Sequence, residues 1–383
     1  MRRVVLAFLI DALGWDNVSE RPFLDAIIRT RCPLRTVLGF SSGAEPSILT
    51  GTAPSRHGRW TMYVRASGRS PFRIARWIAR WPAGAPGSGR LRRFLAWWVR
   101  EREGVEGYFD LYEVPLRFLP HFDLPERTDL FDVGGVPGAP TLFDRLSEEG
   151  IPFRTWSWRT PDEQNFRELK EALDAGRGGF YFLYSAGLDA LQHAKGPRAR
   201  DVGERIGAYE EKIGAIYRTA ESNGLSPSLY VFSDHGMTET EGTIDLMKSV
   251  ASLGLDAPRD YLAFYDSTMA RFWFRSDAAR ERVASLLAST SHGRVLDDDE
   301  LAREGVLFPD RRYGEVVFLM DAGWQIEPSF MGSRAPRGMH GFHPSDSGSM
   351  AALLSDRPIV PAPADIKDLY SVLLSAAREA AAS

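Results

Sequence analysis

Leu229-Tyr230-Val231-Phe232-Ser233-Asp234-His235-Gly236 is an apolar run that ends on adjacent carboxylate and imidazole side chains. Four apolar residues without polar alternation suit a strand buried on both faces, as in the interior of a parallel sheet. Two further runs share this form. Val4–Ile10 (VVLAFLI) closes on Asp11, and Gly179–Tyr184 (GFYFLY) leads within a few residues to Asp189. Between the runs, Pro140–Gly150 and Val202–Asn223 read as helices, the first closed by glycine. Strands alternating with helices predict an α/β core with a mostly parallel sheet flanked by helices. Ligands in such sheets gather at the carboxyl ends of the strands, where Asp11, Asp189 and Asp234 stand.

Composition limits the alternatives. The chain has 383 residues, a net charge of −4, 44% hydrophobic and 26% charged residues, which excludes a fibrous or disordered polymer. The near-neutral charge argues against a nucleic acid as structural partner. A single cysteine, Cys32, excludes a disulfide framework and a Cys-rich metal centre. Met1-Arg2-Arg3 ahead of Val4–Ile10 has the look of a secretory leader. The apolar run is too short and reaches Asp11 without a small-residue cleavage site, so it reads as a first strand. No apolar run of about eighteen residues predicts a transmembrane segment. The expected compartment is the cytoplasm.

Two insertions are expected in the core. Residues 65–130 are rich in arginine and tryptophan and carry a linker, Pro82–Gly89. Residues 256–335 read as a small α/β unit of strand, strand, helix and strand. The expected core is therefore 1–64, 131–255 and 336–383, closed by a strand at Met350–Leu354 and a helix over Ile366–Arg378.

Four short motifs carry chemistry. Asp189 and His193, in GLDALQHAKGP, stand four residues apart and would share one face of a helical turn. Such pairs also occur on solvated faces. Asp234-His235-Gly236 places two potential metal ligands at a strand end, with a glycine expected to allow a sharp backbone turn. His340 stands in Gly338-Met339-His340-Gly341, where a loop histidine is also compatible with plain solvation. In SSGAEPSILTGTAPSRHG (residues 41–58), Ser41 and Ser42 precede a helix start. A serine there can cap the helix, or can face an anion beside the free N–H groups and the positive dipole end.

Taken in order, Asp11, Ser41 with its LTG and PSRHG, Asp189–His193 with GP, SDHG and GMHG resemble the alkaline phosphatase superfamily. Within it, the likeness is to the type I phosphodiesterase/nucleotide pyrophosphatase group. The resemblance implies an alkaline-phosphatase-like α/β core with inserted cap segments and two divalent metal ions, Zn²⁺ or alternatively Mn²⁺ or a mixed pair. It implies that Asp11, Asp234 and His235 hold one ion together with Ser41, the nucleophile. It implies that Asp189, His193 and His340 hold the other. Ser41 takes the nucleophile's place because Gly51 of the TG pair follows ten residues later; Ser42 is the alternative. A mixed Asp/His ligand set suits Zn²⁺ better than Mg²⁺. The implied activity is hydrolysis of a small-molecule phosphate ester or diester through a phosphoseryl-type intermediate. A phosphomonoesterase or phosphotransferase on the same core, and a pseudoenzyme that binds a phosphorylated ligand, are the alternatives.

The chain also departs from that group. Its nucleophile position is serine where threonine is usual. An asparagine expected soon after the HG motif is missing: Arg59–Tyr63 (RWTMY) stands there, with Met62 near its place and Thr61, Tyr63 and Arg65 as substitutes. A sulfatase is disfavoured, since residue 43 is glycine and the activated-cysteine sequence is absent. In 65–100, nine arginines occur without an acidic residue, among Trp77, Trp81, Trp97 and Trp98. The expectation for this stretch is amphipathic helices whose tryptophans pack inward, or a cap that selects an anionic substrate. Cys32, His57, His121, His292 and His343 receive no catalytic role.

Overall fold

A computed structural model describes residues 2–78 and 88–382. Trp81 and most of the Pro82–Gly89 linker lie outside the described residues. The chain divides into two compact units. The first comprises Met1–His57, Phe131–Glu239 and Pro336–Ser383. The second comprises Gly58–Leu130 and Thr240–Ala335.

The apolar runs form the first unit's six-stranded sheet. Its strands are β1 (Arg2–Ile10), β2 (Thr30–Leu34), β3 (Phe153–Trp156), β4 (Gly179–Ser185), β5 (Leu225–Phe232) and β6 (Ala351–Ser355). The spatial order is β2-β6-β5-β1-β4-β3. Strand β1 runs parallel to β4 and β5, β3 runs parallel to β4, and β6 is antiparallel to β2 and β5. The sheet is thus mostly parallel, as expected. Strand β1 lies at its centre and is buried from Val4 to Ile10.

Helices cover both faces. Val4, Leu6, Phe8 and Ile10 point into a core shared with α2 (Asp162–Asp174) and α4 (Arg200–Ser222). Helix α4 buries Val202, Ile206, Tyr209, Ile213, Ile216 and Ala220, a three-and-four spacing that makes one apolar stripe. Helix α5 (Leu369–Ala381) packs against β1 and β4. Two shorter helices reach the strand ends: α1 (Ser41–Thr50) and α3 (Gly187–Lys195). Among the described residues no helix is long and apolar enough to cross a membrane.

The second unit is built on a four-stranded antiparallel sheet in the order 261–265, 269–274, 316–320, 293–296. The strand Gly293–Leu296 and the helix Asp298–Arg303 are additions to the sequence reading of this region. At the centre, the Arg271 guanidinium is fully buried, paired with Asp266 at 2.9 Å and bonded to the Tyr63 carbonyl at 2.9 Å. Residues 65–130 supply one long helix, Ser88–Glu103, and much irregular chain. That helix buries Leu95 and Val99, whereas Trp77 and Trp97 are 85% and 50% exposed. The inward tryptophans expected from the sequence are therefore not found at those two positions. Residues 58–64 and 240–255, read from sequence with the core, cluster with the second unit.

Candidate active site

Three strand ends and one helix start meet in the first unit. Strand β1 ends at Asp11, whose backbone N–H bonds the Ser185 carbonyl at 2.9 Å. Ala12 then takes φ +60°, a left-handed conformation uncommon outside glycine, and so turns the chain off the sheet. This turn is held from both sides. The Ala12 N–H donates to Asp234 Oδ1 at 3.3 Å, and its carbonyl accepts from the buried Gln192 amide at 2.8 Å.

Asp234 and His235 follow β5. Ser233 anchors them by donating to the Leu13 carbonyl at 2.8 Å and accepting from Ala352 N–H at 3.0 Å. Gly236 serves a different purpose from the one expected. Its φ is not left-handed, but a Cβ there would lie 2.3 Å from the Gly348 carbonyl oxygen. Close approach of two backbone segments, not a sharp turn, requires the glycine.

Helix α1 presents Ser41 in its first turn. The N-cap position is Phe40, with no side-chain capping bond, so the Ser41 hydroxyl is not used as a cap. Its Oγ lies 2.9 Å from His235 Nε2. The helix ends at Gly51, φ +66°, where a Cβ would press the Tyr370 side chain, its Cβ at 3.0 Å and its ring at 3.1 Å. The LTG glycine thus stops the helix and admits α5.

Asp189 and His193 share a face of α3 as their spacing predicts, with His193 Nε2 3.3 Å from Asp189 Oδ1. His193 Nδ1 donates to the Gly338 carbonyl at 2.8 Å, which leaves Nε2 free to face the carboxylate. A two-residue ladder, 338–339 with 238–239, draws the GMHG loop beside the SDHG loop. The His340 and His235 rings stack at 3.8 Å, and His340 Nε2 lies 3.7 Å from Asp189 Oδ1.

All seven residues singled out from the sequence therefore lie in one connected cluster. Ligand atoms of Asp189, His193 and His340 fall within 4.8 Å of one another, as do those of Asp11, Asp189 and His235. A third such group is Asp11, Glu45 and Asp234. Glu45 was missed. The available signal was its place four residues after Ser41 on α1, but the order of motifs directed attention to the serine alone. Tyr184 was also missed; its hydroxyl donates to Asp11 Oδ2 at 2.6 Å. Of the residues near the absent asparagine, Thr61 and Tyr63 spend their hydroxyls on the Tyr63 and Asp110 carbonyls of the second unit.

Burial and crowding set the charges. Burial, with Asp234 and Asp189 nearby, raises the Asp11 carboxyl well above the usual range. Burial opposes charge on His235, but Asp234, Asp11 and Asp189 outweigh it and lift the imidazolium to about 10. Asp234 is held below its ordinary value because His235 and the Ala12 N–H overcome its burial. His340 is driven well down by burial, His235 and His193, and is neutral. Four polar atoms here are buried without a hydrogen-bond partner: Asp11 Oδ1, Asp189 Oδ1, Asp234 Oδ2 and His340 Nδ1. The His235 imidazolium, 3.1 Å from Asp234 Oδ2 and 3.5 Å from Asp11 Oδ1, is the positive group facing this carboxylate cluster; a divalent metal could take the place of its proton, and the donor set fits one. Oxygen with imidazole nitrogen suits a borderline ion.

Sheet, flanking helices and this cluster define a phosphoric ester hydrolase. The chain belongs to the type I phosphodiesterase / nucleotide pyrophosphatase family, whose model matches residues 5–343, and with it to the alkaline phosphatase superfamily. Among solved structures it is similar to murine ectonucleotide pyrophosphatase / phosphodiesterase 5, with TM-score 0.70 and 17% identity over 99% of this chain and 95% of that one. The human counterpart gives 0.69 and 15% over the same shares. An inactive form of the murine protein in complex with AMP gives 0.68 and 17%, again over 99% and 95%. At these identities the likeness is one of fold. No curated protein matches the chain in sequence.

Proposed function

We propose that this chain is a metal-dependent phosphodiesterase/nucleotide pyrophosphatase with Ser41 as nucleophile. Asp11, Asp234 and His235, together with Ser41, would hold one divalent ion, with Glu45 as a further carboxylate beside it. Asp189, His193 and His340 would hold the second. Zn²⁺ suits both donor sets, with Mn²⁺ or a mixed pair as the alternatives. The observation that carries the reading is the Ser41 hydroxyl, left uncapped at a helix start and 2.9 Å from His235.

When bound, the ions supply positive charge that lowers the serine hydroxyl's pKa and offsets charge on the leaving oxygen. The remaining work falls to the chain. His235 Nδ1 donates to the Gly236 carbonyl at 2.9 Å, which fixes the ring so that Nε2 faces Ser41 and would hold the ion once its proton is displaced. The positive dipole end of α1 favours negative charge on the phosphoryl group at this end. The Ser41 hydroxyl gives its proton to water as the Oγ–P bond forms, and the bond from phosphorus to the departing alcohol or phosphate oxygen breaks, that oxygen taking a proton from water. Attack of water on phosphorus then releases phosphate or phosphomonoester and restores the hydroxyl. Tyr184 and Gln192 hold Asp11 and the Ala12 turn so that the carboxylate keeps its aim.

Rates on bis-p-nitrophenyl phosphate and p-nitrophenyl phosphate, with Zn²⁺ present, test the reading. The diester should be preferred, and Ser41→Ala should lower kcat by about a thousandfold or more while Ser42→Ala keeps it. Turnover undiminished in Ser41→Ala would remove the nucleophile assignment. A preference for the monoester would move the enzyme to the phosphomonoesterase alternative.

A further inference from the structure

The arginines of the second unit converge on a cavity of about 580 Å³ lined only by that unit's residues. Arg65, Arg76, Arg275 and Arg312 contribute to its wall, with His121 between them and Leu262 and Trp273 on an apolar side. Two of the guanidinium groups are already matched. Arg65 meets Glu315 at 3.2 Å, and Arg312 meets Asp310, also in the wall, at 2.8 Å. The Arg76 and Arg275 guanidinium groups have no hydrogen-bond or ion-pair partner among the described residues. Both act on His121, which burial and these two cations hold below its ordinary value, so its ring is neutral and can donate without adding charge. Arg76 sits on the helical turn Ala75–Ile78, and Arg275 directly follows the strand Met269–Phe274. Both backbones are therefore positioned by regular structure.

Two unmatched guanidinium groups facing one space favour a doubly charged oxyanion, and their planar forks match phosphate oxygens. Volume carries the next step. Sites of about 300–1,000 Å³ hold organic molecules, far more than a bare phosphate needs. On the apolar side Leu262 and Trp273 are 8% and 2% exposed, and the Trp273 indole N–H is committed to the Arg311 carbonyl at 2.8 Å, so these residues form a packed floor. We propose that this cavity binds an organic phosphate of nucleotide size, Arg76 and Arg275 taking the phosphate and the remaining volume over the Leu262–Trp273 floor its organic part. The site is separate from the Ser41 cluster in sequence and chemistry, and gives the arginine-rich stretch a ligand.

Arginine footprinting of the full-length, metal-loaded protein tests this locally. Phenylglyoxal modification, mapped by peptide mass, is compared with AMP, inorganic phosphate or adenosine present. Millimolar AMP should protect Arg76 and Arg275 at least about fivefold and leave the exposed Arg200 unchanged; phosphate should need about tenfold more. Arg275→Gln should abolish protection at Arg76, and Arg76→Gln should abolish it at Arg275. Absence of protection by AMP, protection by adenosine as strong as by AMP, or protection that survives both substitutions would overturn the proposal. Because the readout is confined to these arginines, it stands apart from the diesterase assay: loss of turnover in that assay would leave it intact.

Discussion

Chelated protein should release at least one proton when it takes up Zn²⁺ at pH 8. The source is His235, whose imidazolium is lifted to about 10 by Asp234, Asp11 and Asp189 against its own burial. About 99% of the rings then carry the extra proton at pH 8, and a cation bound through Nε2 must displace it. Two pH units correspond to about 3 kcal/mol, a hundredfold weakening of apparent affinity. The sign follows: raising the pH removes the competing proton, so affinity strengthens about tenfold per pH unit from 7 to 9 and levels off above 10. Calorimetric titration in buffers of different ionisation heat measures the release as a slope. His193, raised through Asp189 against burial, and Asp11, raised well up by its burial, each add their own fraction, so the wild-type slope should exceed one proton. His235→Asn should lower that slope by about one. A wild-type slope below one half, or the same slope in His235→Asn, would refute the assignment of His235 as a charged group that a metal neutralises.

Two further outcomes concern the scaffold. Gly236→Ala should cost about 1–3 kcal/mol, because the new Cβ meets the Gly348 and Met350 carbonyl oxygens at 2.3 and 2.9 Å, neither of which can rotate away; an unchanged Tm would contradict this. In the second unit, burial pushes Glu126 up to about 6 despite Arg59 at 3.7 Å. Its folded carboxyl holds the proton more tightly than the unfolded one, so stability present below about pH 4.5 is lost as pH rises through 6, by about 2 kcal/mol. Urea unfolding of Glu126→Gln against the wild type across pH 4.5–7 should show that part of the slope removed, and parallel curves would exclude it.

The legible parts of this protein are those written in local pattern. Continuous apolar runs announced β1, β4 and β5, since a strand covered on both faces needs no polar alternation. The i, i+4 spacing of Asp189 and His193 put them on one face of α3 because 3.6 residues make a turn. Glu45 was legible only as a helix neighbour of Ser41. Its approach to Asp11 and Asp234 depends on where α1 lands against two strand ends, and no sequence period encodes that distance. Gly236 was legible as necessary but for a different reason, because a clash with Gly348, more than a hundred positions away, exists only after packing. The tryptophans misled in the same way: aromatic character predicts burial on average, yet Trp77 and Trp97 stand exposed.

By itself the sequence determined the mostly parallel α/β class and the family, because strand burial, helical periodicity and motif order are properties of neighbouring residues. Tertiary structure decided the rest. It freed the Ser41 hydroxyl from capping and aimed it at His235, and it stacked His340 on His235 through a two-residue ladder. It gathered distant arginines around one cavity. Charge state followed the same rule, since the rise of His235 to about 10 needs three carboxylates from three separate segments in one buried space.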